Sequence, residues 1–190
     1  METSRCPWPA NDALMIAYHD EEWGIPVHND QKWFEFLLLD AFQAGLSWKT
    51  ILHRRDGFRK AFDNFDFQKI AAYTEADFER LLYDASIIRN MAKIRGTIKN
   101  AQVFTAIREE FGSFDKYIWQ FTDGKTIVNH CKQLSEIPVR NELSDQISKA
   151  LKKRGFSFVG STICYSFMQA AGMINDHLKD CFRFEMCCEK

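Results

Sequence analysis

Most telling at first is what the chain has little of. Its uninterrupted apolar runs are only a few residues long, and the opening "METSRCPWPANDAL" has no basic region followed by an apolar core. Neither a membrane span nor a secretion signal is therefore expected, which places the protein in the cytoplasm. Excess charge of one sign is missing too: formal net charge is −1, which argues against a histone-like binder. Strand signals are nearly absent; only "KTIV" and "FSFV" look extended, and both are too short to build a sheet. No repeat, low-complexity tract or closely spaced zinc-finger pair occurs.

What is present is a chain of 190 residues, 46% hydrophobic and 14% aromatic, enough to bury one sizeable core. The patterning predicts an all-α fold, organised as one unit over residues 1–190 or as two small helical lobes. Asn29 or Asp30 can cap a helix ended by Gly45, Ser47 can cap "WKTILHRRDGFRKAF", and "TEAD" (Thr74 to Asp77) is a capping-box variant. A long helix runs from about Ile88 to Phe111, stopped by Gly112.

Inside "WFEFLLLDAFQAGLSW" (Trp33 to Trp48) stands Asp40, whose helical neighbours are Phe36, Leu37, Gln43 and Ala44. An unpaired charge there is expensive. Either the acid is bonded to helix N-termini or an arginine, or it is kept for a ligand. Trp8, Tyr18, Trp23 and Trp48 lie nearby in sequence; aromatics in a helical protein are usually core, yet these rings with one buried carboxylate also describe a box for a flat cationic heterocycle.

Charge is uneven along the chain. Between Ala85 and Arg108 there is no acidic residue but five basic ones, and "KTILHRRDGFRK" and "KALKKRG" add two more basic clusters, either solvated faces or a phosphate-facing side. In "SDQISKALKKRGFSFVGSTICYSFMQAAGMIND" one helix runs into Gly155, and a second opens at Ser161 or Thr162 after Gly160. Exposed amides at the second helix, beside Lys152, Lys153 and Arg154, suit a DNA phosphate; an ordinary helical hairpin has the same outline.

"HLKDC" sets His177 and Cys181 four apart, as if on one helix face, and Cys6 and His19 supply two more ligand types from the other end. Together they form a set of two thiolates and two imidazoles suited to tetrahedral zinc, although either histidine could simply be hydrogen-bonded within a helix.

"AYHDEEWG", "QAGLSW", "LSEIP" and "SKALKKRGFSFVGSTICYSFMQAAGMINDH", in that order, resemble the DNA-3-methyladenine glycosylase I family of the helix-hairpin-helix glycosylase superfamily, from about Cys6 to Cys181. The resemblance implies a monomer that flips 3-methyladenine out of double-stranded alkylated DNA and hydrolyses its glycosidic bond without a lyase step. It implies structural zinc on Cys6, His19, His177 and Cys181, and a base pocket of Trp8, Tyr18, Trp23 and Trp48. Asp40, the expected catalytic and recognition carboxylate, stands where the family has glutamate. Met15 stands where the family has a further pocket tyrosine. Both departures touch the pocket, so the alternative reading is a DNA-binding paralogue with altered lesion choice or little catalysis. Gly155, Gly160, Ser161 and Thr162 with Lys152, Lys153 and Arg154 would grip the backbone, and Leu46 would plug the gap left by the flipped nucleotide. Asp176, next to a metal ligand, is expected to support that site or cap a helix rather than act as a base.

Overall fold

The computed structural model describes residues 4–188. Its central element is α2 (Asp30–Gln43), capped by the Asn29 side chain, which accepts from the Lys32 amide. Every residue from Trp33 to Phe42 is buried, so this helix is wrapped on all sides. Around it lie α1 (Ala13–Glu21), α3 (Trp48–Leu52), α7 (Met91–Phe111), α8 (Phe114–Trp119) and α10 (Ser161–Ala170), with α9 (Glu142–Arg154) against α10. Three shorter helices, α4 (Arg55–Ala61), α5 (Phe67–Ala71) and α6 (Glu75–Tyr83), pack beside α7 and α2, and α11 (Arg183–Met186) closes the described chain. Among the described residues no helix is long and apolar enough to cross a membrane.

Local signals set most of these boundaries. Ser47 caps α3 through the Thr50 amide, and Asp77 accepts from both the amide and the hydroxyl of Thr74 at the start of α6. Gly112 ends α7 at φ +84°, a left-handed conformation open to glycine at little cost.

One expectation is corrected and two further boundaries are set by the fold. "WKTILHRRDGFRKAF" is two helices, broken at His53 and Arg54, and at the break Arg55 turns inward onto Glu22 and Glu35. "KTIV", read as extended, does form a short strand, β1 (Ile127–Val128), paired in parallel with β2 (Ile174–Asn175). The second hairpin helix stops at Ala170 because Gly172 turns at φ +70°, where a Cβ would sit 2.3 Å from the Ile25 carbonyl carbon. That contact brings segment 24–27 alongside the end of α10, with Gly24 donating to Gln169 and Val27 to Ala171.

Part of the charge of the basic clusters is paired within the molecule, while Lys60, Arg89, Lys99, Lys149, Lys152 and Lys153 stay exposed. Lys93 is buried and donates to the Phe42 and Ala44 carbonyls, capping the C-terminal end of α2 where its dipole is negative. Arg95 pairs with Glu75 and lies on the Phe78 ring, Arg108 pairs with Asp30, and Arg59 with Glu35 and Asp56. Burial of the Glu22–Arg55–Glu35 cluster is offset by mutual pairing, and Glu22 is held down at about 2, despite its desolvation, by Arg55 and Lys32.

Candidate active site and metal centre

The C-terminal half of α2 forms the floor of a cavity of about 210 Å³. Asp40 projects into it and is only 2% exposed. Its Oδ2 is buried with no hydrogen-bond partner. Burial alone pushes its carboxyl well above the usual carboxylate range, with no cation near enough to offset it. Both conventional explanations for a buried acid, a helix N-terminus and an arginine, are thereby removed.

All four sequence-predicted aromatics line the same cavity. Tyr18 comes from α1, Trp48 opens α3, Trp8 precedes α1 and Trp23 follows it. Their ring centroids lie 5.0 Å apart for Tyr18 and Trp48, and 5.1 Å for Trp8 and Trp23, within ordinary aromatic contact. Burial first and the Asp40 charge second push the Tyr18 phenol upward, so it stays protonated. The indole Nε1 atoms of Trp8 and Trp48 are buried donors without partners. An acceptor and two donors left unsatisfied in one small chamber is unusual, because buried polar groups are nearly always paired.

Sequence reasoning missed the rest of the lining: Gln43, Ile137, Ser166 and Gln169. Gln43 stands one helical turn beyond Asp40 and was readable from that spacing. The other three arrive from distant segments, Ile137 from the "LSEIP" loop and Ser166 and Gln169 from α10, with no local mark of their destination. Met15 is buried beside Trp8 but is not part of this lining; it lies in an adjoining hollow with Pro9 and Lys49.

Behind the aromatic wall, Cys6, His19, His177 and Cys181 meet, all buried, with ligand atoms within 4.8 Å of one another. Sγ of Cys181 is 3.5 Å from His19 Nε2 and 3.6 Å from His177 Nδ1, and Cys6 Sγ is 3.8 Å from His177 Nδ1. A tetrahedron with metal–sulfur bonds of about 2.3 Å and metal–nitrogen bonds of about 2.0 Å has sulfur–nitrogen edges of about 3.5 Å, so the spacing fits. The outward ring nitrogens are already engaged: His19 Nδ1 with Asp20 at 2.7 Å, itself held by Arg5, and His177 Nε2 with the Trp23 carbonyl at 2.9 Å. Each imidazole thus turns its remaining nitrogen to the centre. The Leu178 amide donates to Cys6 Sγ. Hydrogen bonding from Cys6 draws the Cys181 thiol far below its usual range, while the same contact raises Cys6, so both ionise together only around a cation.

One detail differs from the sequence expectation. His177 and Cys181 do not share a helix: they lie in the turn between β2 and α11, closed by the Cys181 amide donating to the Leu178 carbonyl. Asp176 is buried and accepts from Asn129, Tyr165 and Gln169, so it neither caps a helix nor bonds a metal-facing histidine.

On the outer side, α9 and α10 form a hairpin fixed from beneath. Asn100 of α7 bonds both the amide and the carbonyl of Ser157, and Ser148 donates to the Val159 carbonyl. Gly155 ends α9 at φ +105°, and open space surrounds Gly160. The first amide bonded within α10 is that of Cys164, to the Gly160 carbonyl, so the amides of Ser161, Thr162 and Ile163 have no partner inside the helix. Lys152 and Lys153 are exposed there, but Arg154 is occupied, forked onto Glu110 and lying over Phe111 and Tyr117. Leu46, 39% exposed, stands in the short loop between the cavity residues Gln43 and Trp48.

An aromatic chamber with an unpaired acid at its floor and an outward helical hairpin has the shape and chemistry to receive a flat, electron-poor ring. Comparison with known proteins makes that particular: residues 8–184 match the methyladenine glycosylase family model, and the chain belongs to that family. It is 48% identical to DNA-3-methyladenine glycosylase 1 of Escherichia coli strain K12 over 184 residues, 97% of this chain and 96% of that one. Identity to the DNA-3-methyladenine glycosylase of Haemophilus influenzae is 45%, over 94% of this chain and 97% of that one. Among solved structures, one on 3-methyladenine recognition by the Staphylococcus aureus 3-methyladenine DNA glycosylase I superposes with a TM-score of 0.92 at 33% identity, covering 95% and 96% of the two chains.

Replacing Asp40 tests the cost of its burial. As pH rises past about 4, the unfolded chain ionises this group while the folded protein keeps it protonated, so wild type loses stability that an asparagine variant does not. The stability of Asp40→Asn relative to wild type should therefore increase steadily from about pH 4 to about pH 8. Denaturant melts at both pH values measure it; a pH-independent difference would mean that Asp40 titrates normally.

Proposed function

We propose that this protein is a monofunctional DNA glycosylase that takes 3-methyladenine out of alkylated double-stranded DNA and hydrolyses its bond to the sugar. The observation that carries the reading is Asp40, a carboxylate without a counter-charge on the floor of an aromatic cavity. Such a group is explained by a ligand that brings the positive charge and the hydrogen-bond donors. Methylation at N3 makes the base a cation and weakens its glycosidic bond, so the enzyme has chiefly to extract, orient and shelter it.

Each part of the structure has a place in that scheme. Ring faces of Trp8, Tyr18, Trp23 and Trp48 attract the cation, at about 1–2 kcal/mol for a well-placed desolvated ring. Asp40 accepts from the exocyclic amine and is drawn to its ionised form as the cation enters. When water attacks the sugar carbon, the bonding electron pair returns to the base and cancels its charge, so the leaving group departs neutral without a protein acid; the water's surplus proton passes to solvent. Lys152 and Lys153, with the free amides of Ser161 and Thr162 beside Gly155 and Gly160, hold the DNA backbone in a helix-hairpin-helix grip, and Leu46 fills the vacated stack. Cys6, His19, His177 and Cys181 would hold zinc, which supplies cross-linking of the chain ends and no chemistry at the base. The chain acts as a single unit and as a monomer, in the cytoplasm where its DNA is. Asp40, which replaces the glutamate implied by the family resemblance, bears on rate and lesion choice rather than on DNA binding, whereas Met15, outside the cavity lining, acts at most through its packing beside Trp8.

Incubation with methylated DNA and analysis of released bases tests the activity. Wild type should release 3-methyladenine, and Asp40→Asn should cut release by at least ~100-fold, since it removes the charge and leaves the cavity shape. Release no greater than in a protein-free control would end the proposal.

Removal of the metal should lower the melting temperature by about 10 °C or more, with zinc recovered at one per chain, because the site joins segments 171 residues apart. A chelator that leaves the melt unchanged would argue for a purely hydrogen-bonded cluster.

For the DNA grip, Lys152→Ala with Lys153→Ala should flatten the dependence of log affinity on log salt by about 1–2 units while leaving the free-base pocket unaltered. An unchanged slope in a fluorescence-anisotropy titration would place the DNA on another face.

A further inference from the structure

Gln169 lines the cavity and is half-buried, and its side-chain Nε2 donates to Asp176 Oδ2 at 2.7 Å. Asp176 is 1% exposed and also accepts from the Tyr165 hydroxyl at 2.8 Å and from Asn129 Nδ2 at 2.7 Å. Three donors converge on one carboxylate. A carboxylate has only acceptor sites, so the glutamine amide cannot reverse: nitrogen must face Asp176, and oxygen is the end left for a ligand. The hydroxyl of Tyr165 and the amide of Asn129 in turn fix the carboxylate, which makes the orientation a property of a buried network rather than of a free side chain.

Resting on the function proposed above, we infer that Asp176 is a positioning residue that locks Gln169 as a hydrogen-bond acceptor in the base pocket, and that this acceptor selects an adenine-type cation over a guanine-type one. The chemistry follows from the edges of the two bases. Adenine carries an exocyclic amine, a donor, where guanine carries a carbonyl oxygen, an acceptor. Both are cationic as N3-methylated nucleotides and neutral as free bases, so in either state the aromatic faces and Asp40 treat the two alike in charge and discriminate little. Two acceptors, Asp40 and Gln169, suit the amine and leave the carbonyl facing lone pairs. Sites built around a substrate N–H reject analogues that lack it far more strongly than apolar pockets reject a change of shape.

The test reads binding of the free bases, 3-methyladenine and 3-methylguanine, by quenching of the pocket tryptophans, and so stands apart from the released-base assay. Wild type should prefer 3-methyladenine. Asp176→Asn gives the network a donor that can hold the glutamine in either orientation, and Gln169→Met keeps the bulk and removes the acceptor; each should shrink the preference by at least ~10-fold. Tyr165→Phe takes a bond from Asp176 but leaves Gln169 tied, so it should lower the melting temperature without changing the preference. Equal affinity of wild type for the two bases, or a preference unchanged in both Asp176→Asn and Gln169→Met, would overturn the inference. A loss of preference equal in Tyr165→Phe would overturn it as well, by marking a general loosening of the core. Absence of base release from DNA with the binding preference intact would instead count against the catalytic reading alone.

Discussion

The structure turns on a carboxylate held in the wrong solvent. Asp40 sits in the most heavily buried helix of the fold, and no cation, helix end or amide within the protein meets its Oδ2. A folded chain tolerates such a group only where the surrounding core is secure, since the net stability of a domain is about 5–15 kcal/mol and a buried acid, kept protonated and with an oxygen left unmet, draws on it. The core supplies that security through ring packing: Phe34 of α2 meets Phe104 edge-on, with Phe67 and Phe114 against the same ring, and Phe42 of α2 meets Phe58 edge-on, with Phe62 stacked behind it. Lys93 adds to it by satisfying the carbonyls at the end of the same helix. Its ammonium lies where the helix dipole is negative rather than against the acid, so the acid stays free for what enters the cavity.

The Cys–His cluster and the cavity are one construction seen from two sides. Cys6 is two residues from Trp8, His19 directly follows Tyr18, and His177 is bonded to the carbonyl of Trp23. The Trp23 ring lies 4.6 Å from His177 and the Trp8 ring 5.4 Å from His19. Three of the four aromatic walls therefore take their position from residues bonded or adjacent to the cluster. A metal ion held there would do more than tie a chain end: it would set the spacing between flat surfaces, on which attraction for a cationic ring depends steeply.

How much of this was legible in sequence depends on how local each cause is. Caps at Asn29, Ser47 and Thr74 and the stop at Gly112 were readable because each acts within four residues of its own position. Asp40 was conspicuous because a charge among apolar helical neighbours contradicts its surroundings. The turn carrying His177 and Cys181 was misread as a helix, since a spacing of four serves a helix and a tight turn equally well, and the choice was made by Gly172 packing on Ile25. Nor could sequence show that Arg154 belongs to Glu110 or Arg55 to Glu22; clustering along the chain says nothing of partners in space. Ile137, Ser166 and Gln169 were invisible for the same reason, as each is an ordinary residue until the fold puts it on the cavity wall.

The spending of most arginines inside the molecule bears on how it would meet DNA. Arg55, Arg59, Arg95, Arg108 and Arg154 all face carboxylates, and the chain as a whole is close to neutral. Long-range attraction to a polyanion is then weak, and on the DNA grip proposed above affinity would come from a few contacts at short range: exposed lysines on α9, amides at the start of α10 and an apolar residue in the loop after α2. A protein that must inspect many sites gains from that economy, because tight hold on undamaged duplex would slow its search, whereas a cation reaching Asp40 adds binding only at the lesion. Recognition and retention are thus assigned to different charges, the lysines outside and the single acid within.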